Sequence, residues 1–265
     1  MIDFMKDMFD ENELPLDKLV EGYSRTSVFR KIAFVGDSLS SGEFETCDKE
    51  GKKRYHDLFE YSWGQYIARR NGLTAYNFSK GGMTTKQYVE SFAEQRGFWD
   101  TDKACQAYVI ALGVNDLWNN RVPELGSVSD VDFDDYHNNK PTYTGYYATI
   151  VQRYKEISPD AKFFFVTMPD SDNPDRHEKS VKCAEILYAL AERFDNAYVI
   201  DLFKYAPAWD ENFRAKFNMY GHLTPSGYIF TAQMVDSYID YIVRHNPDDF
   251  KTVGFIGTNI QYKFD

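Results

Sequence analysis

The chain has 265 residues, of which 43% are hydrophobic and 27% charged. This composition can bury a sizeable core and excludes the disordered and fibrous classes of protein. Asp and Glu outnumber Lys and Arg by 41 to 30, and the resulting net charge of −11 makes the chain a poor binder of nucleic acid or of an anionic membrane. No window approaches eighteen consecutive apolar residues, so no membrane span is predicted.

The opening segment and the cysteines both favour a cytoplasmic protein. Residues 1–14 mix acidic and basic side chains with apolar ones, so they lack the uninterrupted apolar stretch of a secretory signal. Cys47, Cys105 and Cys183 are odd in number and far apart, with no CxxC pair to hold zinc or to run redox chemistry. We therefore expect three reduced thiols.

Short apolar runs alternate with longer amphipathic segments along the chain. In chain order these predict the strand Lys31–Val35, the helix Tyr61–Arg70, the strand Leu73–Phe78, the helix Thr84–Phe98, the strand Ala107–Leu112, the helix Thr142–Ile157, the strand Lys162–Met168, the helix Pro174–Phe194, the strand Ala197–Phe203 and the helix Thr224–His245. Residues 118–141 are polar, acidic and aperiodic, which predicts a long surface excursion.

This alternation predicts an α/β fold with a five-stranded parallel sheet. Each parallel crossover must cover the sheet on its way back, so helices are expected on both faces, in a three-layer α/β/α arrangement. No repeat, low-complexity tract or linker divides the chain, and a single domain, with its core at about residues 31–245, is the economical interpretation. Residues 1–30 and 247–265 are then arms lying on that core.

Ligands of open α/β sheets bind outside the carboxyl ends of the strands, so the residues after each strand matter most. After the first strand, Gly36 permits a sharp turn and Ser38 would begin the next helix with its oxygen exposed; alternatively, Ser38 or Ser40 merely caps that helix. After the second strand, the pair Gly81-Gly82 can present a backbone N–H to an anionic oxygen, although such pairs are more often simple turns.

Two further strand ends add an amide and an imidazole. Asn115 follows the third strand and could donate to the same point, although Asn there is usually a turn former. His222 is the one histidine at a junction between the last strand and the last helix, a position that is more often structural than catalytic. Together the four positions supply the nucleophile, the base and two oxyanion donors that acyl transfer requires.

The same residues carry a family resemblance over roughly residues 31–245. Gly36-Asp37-Ser38-Leu39-Ser40, the segment 77–82, Gly113-Val114-Asn115-Asp116 and His222 resemble the sequence blocks of the SGNH hydrolase superfamily, also called the GDSL esterase/lipase family. The resemblance implies a flavodoxin-like fold, ester hydrolysis through an acyl-serine, and neither metal nor cofactor. It also implies that Ser38 is the nucleophile, that His222 is the base, and that Gly82, Asn115 and the Ser38 backbone hold the oxyanion.

One family position departs from its pattern. Met219 stands where the family's aspartate would orient His222. In the serine-hydrolase template, replacing that acid by its amide costs about 10⁴ in rate. The favoured hypothesis is that a backbone carbonyl near Met219 or Asn218 accepts from Nδ1, because any acceptor can select the tautomer.

Two alternatives to that hypothesis remain. A carboxylate from elsewhere in the chain, such as Asp210 or Glu211, could orient the imidazole instead. Otherwise the protein is a weak enzyme or a module that only binds its ligand.

Other motifs point away from competing chemistries. GxSxG, GxGxxG, GxxxxGK and HExxH are all missing, which removes the main support for α/β-hydrolase, dinucleotide, P-loop and zincin functions. A cluster of aspartates hints at calcium but lacks the Gly and Glu of a calcium loop, so a solvated acidic loop is favoured. Its members are Asp130, Asp132, Asp134 and Asp135.

We therefore expect a serine esterase that removes small acyl groups, above all acetyl, from sugars or oligosaccharides. No apolar lid helix for lipid is evident, 17% of the residues are aromatic, and Trp118 is expected to lie near the acceptor sugar. The alternatives are a lipase, lysophospholipase or acyl-thioesterase that uses the same residues, and a carbohydrate-binding protein without activity. The sequence leaves the oligomeric state open.

Overall fold

The strands and helices below belong to a computed structural model that describes residue 5, residues 8–122 and residues 124–261. The strands are β1 Lys31–Gly36, β2 Glu43–Cys47, β3 Lys53–Asp57, β4 Thr74–Ser79, β5 Ala107–Ala111, β6 Lys162–Val166, β7 Ala197–Ile200, β8 Asn218–Met219 and β9 His222–Leu223. The helices are α1 Ser38–Ser41, α2 Trp63–Asn71, α3 Thr85–Gln87, α4 Ala93–Gln95, α5 Tyr143–Ile157, α6 Pro174–Ala191, α7 Leu202–Tyr205, α8 Glu211–Phe217, α9 Pro225–His245 and α10 Pro247–Phe250.

Single turns complete the secondary structure of the described residues. A π-helical turn, Tyr88–Phe92, joins α3 to α4, and a second, Val114–Trp118, follows β5. The 3₁₀ turns are Arg25–Val28, Phe59–Tyr61, Thr101–Lys103, Val128–Asp130, Tyr136–Asn138 and Val253–Phe255. No helix in the described part of the chain is both long and apolar enough to cross a membrane.

The central sheet confirms the predicted fold. Five strands pair in the order β4-β1-β5-β6-β7, and every pairing between them is parallel. In β6 all five residues are buried, which explains why its sequence is continuously apolar after Lys162. The carboxyl ends of β1, β4 and β5 lie side by side, so the loops that follow them meet at one edge.

Helices cover both faces of this sheet, as the alternating pattern predicts. On one face α5 and α6 enclose a core that includes Tyr147, Tyr154 and Leu187. On the other face α2 and α9 enclose a second core that includes Trp63 and Ile239. The three-layer α/β/α arrangement is therefore present.

Much of the aromatic content packs inside these two cores. Tyr88, Tyr143, Tyr147 and Tyr154 are fully buried. Their hydroxyls are satisfied, since Tyr143 and Tyr147 donate to main-chain carbonyls and Tyr88 and Tyr154 bond to each other. A buried Tyr needs such a partner because an unpaired hydroxyl in the core is costly.

Two hairpins were not predicted from the sequence. The antiparallel pair β2–β3 follows the first helical turn, and β8–β9 precedes α9. The predicted strand Ala197–Phe203 also ends early at Ile200, because Asp201 caps α7 and turns the chain. Both hairpins lie at the carboxyl edge of the sheet, where β2 packs against β9.

Both ends of the described chain contact the core. Glu13 is buried and accepts two hydrogen bonds of 2.6 Å from Arg244 of α9. Near the C-terminus Val253 is buried, and its carbonyl accepts from Gln106. The three cysteines are free thiols, with Cys47 exposed and the other two buried.

The aspartate cluster forms a self-contained loop. Asp132 accepts from the backbone amides of Asp134 and Asp135, and Asp130 pairs with Lys140 at 2.8 Å. These bonds engage Asp130 and Asp132, two of the four carboxylates that the sequence offers as a weak calcium candidate. Within the described residues no group of three or more potential metal ligands comes together.

Candidate active site

A cleft of about 650 Å³ opens at the carboxyl edge of the sheet. It is lined by all the residues that the sequence predicted for the site, namely Ser38, Gly82, Asn115, Trp118 and His222. They come from four loops that are far apart in sequence and meet because parallel strands end at one edge.

Ser38 begins the helical turn α1 directly after β1. A Cβ atom on Gly36 would lie 2.2 Å from Ser40 Oγ and 3.1 Å from the Ala111 carbonyl, so only glycine fits this close turn. Asp37 caps α1 by accepting from the Leu39 amide at 3.0 Å. The cap is thus an aspartate, and the alternative that Ser38 or Ser40 merely caps the helix does not hold.

Gly82 lies in the turn that follows β4. Its φ of +72° lies in the left-handed region that favours glycine, and its carbonyl accepts from Arg121 Nη1 at 2.9 Å. Among the described residues neither the Gly82 amide nor the Ser38 amide donates a hydrogen bond. Two backbone donors are therefore available in the cleft.

The Asn115 amide is held in one orientation by two neighbours. Its Oδ1 accepts from Asn119 at 3.0 Å, and its Nδ2 donates to Asp37 Oδ2 at 3.2 Å. An amide nitrogen carries two hydrogens, so one N–H remains for a ligand. Burial raises the pKa of Asp37 to about 7, although the Leu39 amide acts in the opposite direction.

Asp116 ties the Gly82 loop to the Asn115 loop. Its Oδ1 accepts from the Thr85 amide at 2.8 Å and from the Thr85 hydroxyl at 2.6 Å. Burial raises the pKa of Asp116 to about 6. Because Thr85 starts the helix that follows Gly82, this contact fixes the spacing between the two candidate oxyanion donors.

His222 is oriented by a carboxylate that the sequence interpretation did not identify. Its Nδ1 lies 3.2 Å from Oε2 of Glu45, and the same oxygen accepts from the Gly221 amide at 2.9 Å. Glu45 lies on β2, is only 2% exposed and pairs with Lys53 through Oε1. The imidazole and the carboxylate that orients it, two of the three groups of a serine-hydrolase triad, are therefore paired.

Comparison with known proteins identifies the family. The model of the GDSL-like Lipase/Acylhydrolase family matches residues 34–229. The chain belongs to the GDSL-like lipase/acylhydrolase family. Membership makes it a carboxylic ester hydrolase and confirms the resemblance seen in its sequence blocks. No curated protein sequence matches the chain.

Solved structures share the fold of this GDSL-like hydrolase at low sequence identity. A family two carbohydrate esterase from Clostridium thermocellum, in complex with cellohexaose, aligns with a TM-score of 0.54 and 16% identity, over 89% of this chain and 67% of that chain. A protein from Desulfitobacterium hafniense, described as lipolytic and of the G-D-S-L family, aligns with a TM-score of 0.51 and 14% identity, over 79% and 99%. These likenesses show the fold.

The departure at Met219 has a structural explanation. Met219 pairs with His222 across the β8–β9 hairpin and is partly buried in the core on the α9 side. The favoured hypothesis of a backbone carbonyl near Met219 or Asn218 is wrong, because the group facing Nδ1 is the Glu45 carboxylate. The side chain at the position of the family's aspartate therefore packs in the core, and the carboxylate that faces Nδ1 belongs to β2.

A carboxylate from elsewhere in the chain does contact His222, as the first alternative expects, but it is neither Asp210 nor Glu211. Asp210 caps α8, where its Oδ1 accepts from the Phe213 amide at 2.7 Å, and Glu211 lies in the first turn of that helix. The sequence signal for Glu45 was the alternation of Glu43, Phe44 and Glu45. On a strand this alternation places both glutamates on one face and Phe44 on the other.

A second carboxylate faces the other nitrogen of His222. Glu43 Oε1 lies 3.1 Å from Nε2 of His222. The Ser38 hydroxyl makes no hydrogen bond to His222 or to any other described residue. Burial tends to lower the pKa of His222, but the hydrogen bonds and charges of Glu43 and Glu45 outweigh burial and raise it. For Glu45 the effects are reversed. Burial tends to raise the pKa of Glu45, but hydrogen bonds from Lys53, the Gly221 amide and His222 outweigh burial and lower it.

Glu43→Gln is expected to move the acid limb of kcat/KM to lower pH. The substitution removes one of the two negative charges that favour the imidazolium, so the pKa of His222 falls and the neutral base persists in more acidic solution. The measurement is a pH profile of chromogenic acetate hydrolysis. Glu178→Gln, which removes an exposed glutamate paired with Lys182, is the control and should leave the limb in place. An unchanged limb in Glu43→Gln would contradict this role.

Trp118 lines the cleft but offers little free surface. Its ring is 8% exposed, its indole N–H donates to Ser180 at 3.1 Å, and Arg176 lies 5.0 Å above the ring centroid. Its contact with a sugar therefore stays a prediction. Tyr55 and Tyr220 also line the cleft and are 55% and 61% exposed.

Proposed function

We propose that this ester hydrolase removes short acyl groups, above all acetyl, from carbohydrates through an acyl-Ser38 intermediate. One observation carries the proposal: Ser38, three N–H donors and a carboxylate-oriented His222 share one polar cleft. Ester hydrolysis by covalent catalysis needs these groups and no others from the protein.

The reaction begins when His222 Nε2 exchanges its contact with Glu43 for one with Ser38; Ser38 Oγ then attacks the ester carbonyl carbon and Nε2 takes the hydroxyl proton. The oxyanion that forms accepts from the Ser38 and Gly82 amides and from Asn115 Nδ2. As the C–O bond to the sugar breaks, His222 returns the proton to the leaving oxygen. Water then attacks the acyl-serine by the same route and releases acetic acid, while Glu45 holds the imidazole in the correct tautomer.

A short acyl group is supported by the space beside the nucleophile. A second cavity, of about 70 Å³ and mostly apolar walls, shares Leu39, Val114 and Trp209 with the cleft. An engineered apolar cavity of about 150 Å³ accommodates benzene, so this smaller one suits an acetyl or propionyl group better than a long chain.

A carbohydrate is supported by the cleft itself. Its walls are as polar as they are apolar, and its rim carries the exposed rings of Tyr55 and Tyr220, which suit the alternating polar edge and apolar face of a sugar. The similar fold from Clostridium thermocellum is a carbohydrate esterase in complex with cellohexaose. Met219 in place of the family's aspartate was the main argument for a protein that binds carbohydrate without hydrolysing it. The Glu45 carboxylate beside His222 weakens that argument.

The test is hydrolysis of chromogenic esters from acetate to octanoate, together with acetate release from acetylated xylose and mannose oligosaccharides. We expect kcat/KM to fall at least about tenfold between acetate and octanoate, since pocket size discriminates even single methylenes. Activity that rises with chain length would identify a lipase, lysophospholipase or acyl-thioesterase. Absence of any turnover would leave a carbohydrate-binding protein.

A further inference from the structure

The charge of the cleft is opposite to that of the chain. The protein carries a net charge of −11, yet among the described residues three arginines line the cleft against a single carboxylate, Glu43, which lies against His222. The arginines are Arg121, Arg176 and Arg214. A concave wall of one charge concentrates ligands of the opposite charge, so the cleft favours an anion.

Two of these arginines are available to a ligand. Arg214 is neutralised by Asp172, which accepts from both guanidinium nitrogens at 2.9 and 2.7 Å. Arg121 and Arg176 have no carboxylate within 4.0 Å among the described residues, and both are exposed. The acid next in sequence to Arg176, Asp175, pairs with Lys179 instead.

Both of these arginines contact the segments that carry the candidate oxyanion donors. Arg121 donates to the Gly82 carbonyl, and Arg176 lies over Trp118, three residues beyond Asn115. A ligand whose ester carbonyl rests on Gly82 and Asn115 therefore meets these guanidinium groups within the same cleft. The planar fork of a guanidinium matches a carboxylate or a phosphate in two parallel hydrogen bonds.

We propose that Arg121 and Arg176 bind an anionic group of the substrate, so that the preferred substrate is an ester of an acidic sugar bearing a carboxylate or a phosphate. This inference rests on the proposed function and narrows its substrate class. Arg121 also supports the Gly82 loop, whereas the Arg176 guanidinium lies over the Trp118 ring and makes no hydrogen bond or ion pair to a described residue, which makes Arg176 the better position to test.

The experiment compares acetyl esters that differ only in charge. Methyl glycosides of acetylated glucuronic acid, glucose 6-phosphate and glucose, acetylated at one position, are assayed with wild type and Arg176→Gln. Wild type should prefer the charged sugars by about ten- to a hundredfold in kcat/KM, the range of one or two charge-assisted hydrogen bonds. Arg176→Gln should lose most of that preference, with a larger fall in kcat/KM on the charged sugars than on the neutral one.

Three comparisons exclude a merely structural role for Arg176. Arg176→Lys keeps the charge and should retain part of the preference. Arg193→Gln removes a guanidinium that lies 4.2 Å from the Phe133 ring, outside the cleft, and should change nothing. Raising the ionic strength should weaken the wild-type preference, because salt screens exposed charges.

The outcomes separate this inference from the proposed function. Equal kcat/KM on charged and neutral sugars in wild type, with acetate still released, overturns the anion site alone. If no sugar ester is hydrolysed, the proposed function fails, and calorimetry with glucuronate and glucose on wild type and Arg176→Gln still decides. Tighter binding of glucuronate that Arg176→Gln abolishes would support the anion site, and equal binding would overturn it.

Discussion

Ser38→Ala is expected to lower kcat for ester hydrolysis by about 10⁶-fold, to the residual rate that oxyanion donors and binding alone supply in serine hydrolases. The variant keeps Gly82, Asn115 and His222 but has no oxygen to form the acyl intermediate. Turnover of a chromogenic acetate measures the loss. Labelling by a fluorophosphonate probe, strong in wild type, should disappear.

Ser40→Ala is the matched control for this experiment. Ser40 lies in the same helical turn, is 1% exposed, and its hydroxyl makes no hydrogen bond to a described residue. Removing that hydroxyl should leave labelling and turnover close to wild type, because no partner is lost. Labelling that survives in Ser38→Ala would place the nucleophile elsewhere.

The central sheet and the residues that follow its strands could be predicted from the sequence, because buried strands have a recognisable apolar pattern. Strands such as β6 are covered on both faces, so their sequences are continuously apolar and their positions can be read directly. Once the parallel sheet is inferred, the residues after its strands must meet at one edge. That step alone predicts that Ser38, Gly82 and Asn115 lie close together, and all three line the cleft.

The β2–β3 hairpin escaped prediction because burial does not specify it. All five residues of β3 are exposed, so the strand carries no alternation of apolar and polar side chains. It is defined by pairing with β2, whose Phe44 packs against Tyr228 on the α9 side. Hydrophobic periodicity in a sequence indicates burial. A strand that is stabilised mainly by pairing with its neighbour therefore shows little periodicity.

The same hairpin explains why the carboxylate of the site was misplaced. The carboxylate that contacts the histidine can come from different strands or loops. A family sequence pattern gives only the position from which it most often comes. Met219 and Glu45 are 174 positions apart, yet β2 packs beside β9 and brings the Glu45 carboxylate to the imidazole. Sequence alone can state that an acceptor is needed but cannot say which strand delivers it.

Glu45→Gln is expected to lower kcat/KM by about 10³- to 10⁴-fold, the scale seen when the orienting acid of a serine-hydrolase triad becomes an amide. The amide can present its NH₂ to Nδ1 and so favours the wrong tautomer, and it no longer stabilises the imidazolium of the transition state. Its size is unchanged, so the loss should appear with little change in protein fold by circular dichroism.

Controls for Glu45→Gln come from the other candidate acids and from Lys53. Asp210→Asn and Glu211→Gln should leave turnover unchanged, and Asp210→Ala should cost about 1 kcal/mol of stability through the lost helix cap. Lys53→Met removes the exposed ion-pair partner of Glu45 and should reduce turnover far less than Glu45→Gln. If Glu45→Gln kept wild-type kcat/KM while Asp210→Asn lost it, the acid would be Asp210, and the contact between Glu45 and His222 would be structural only.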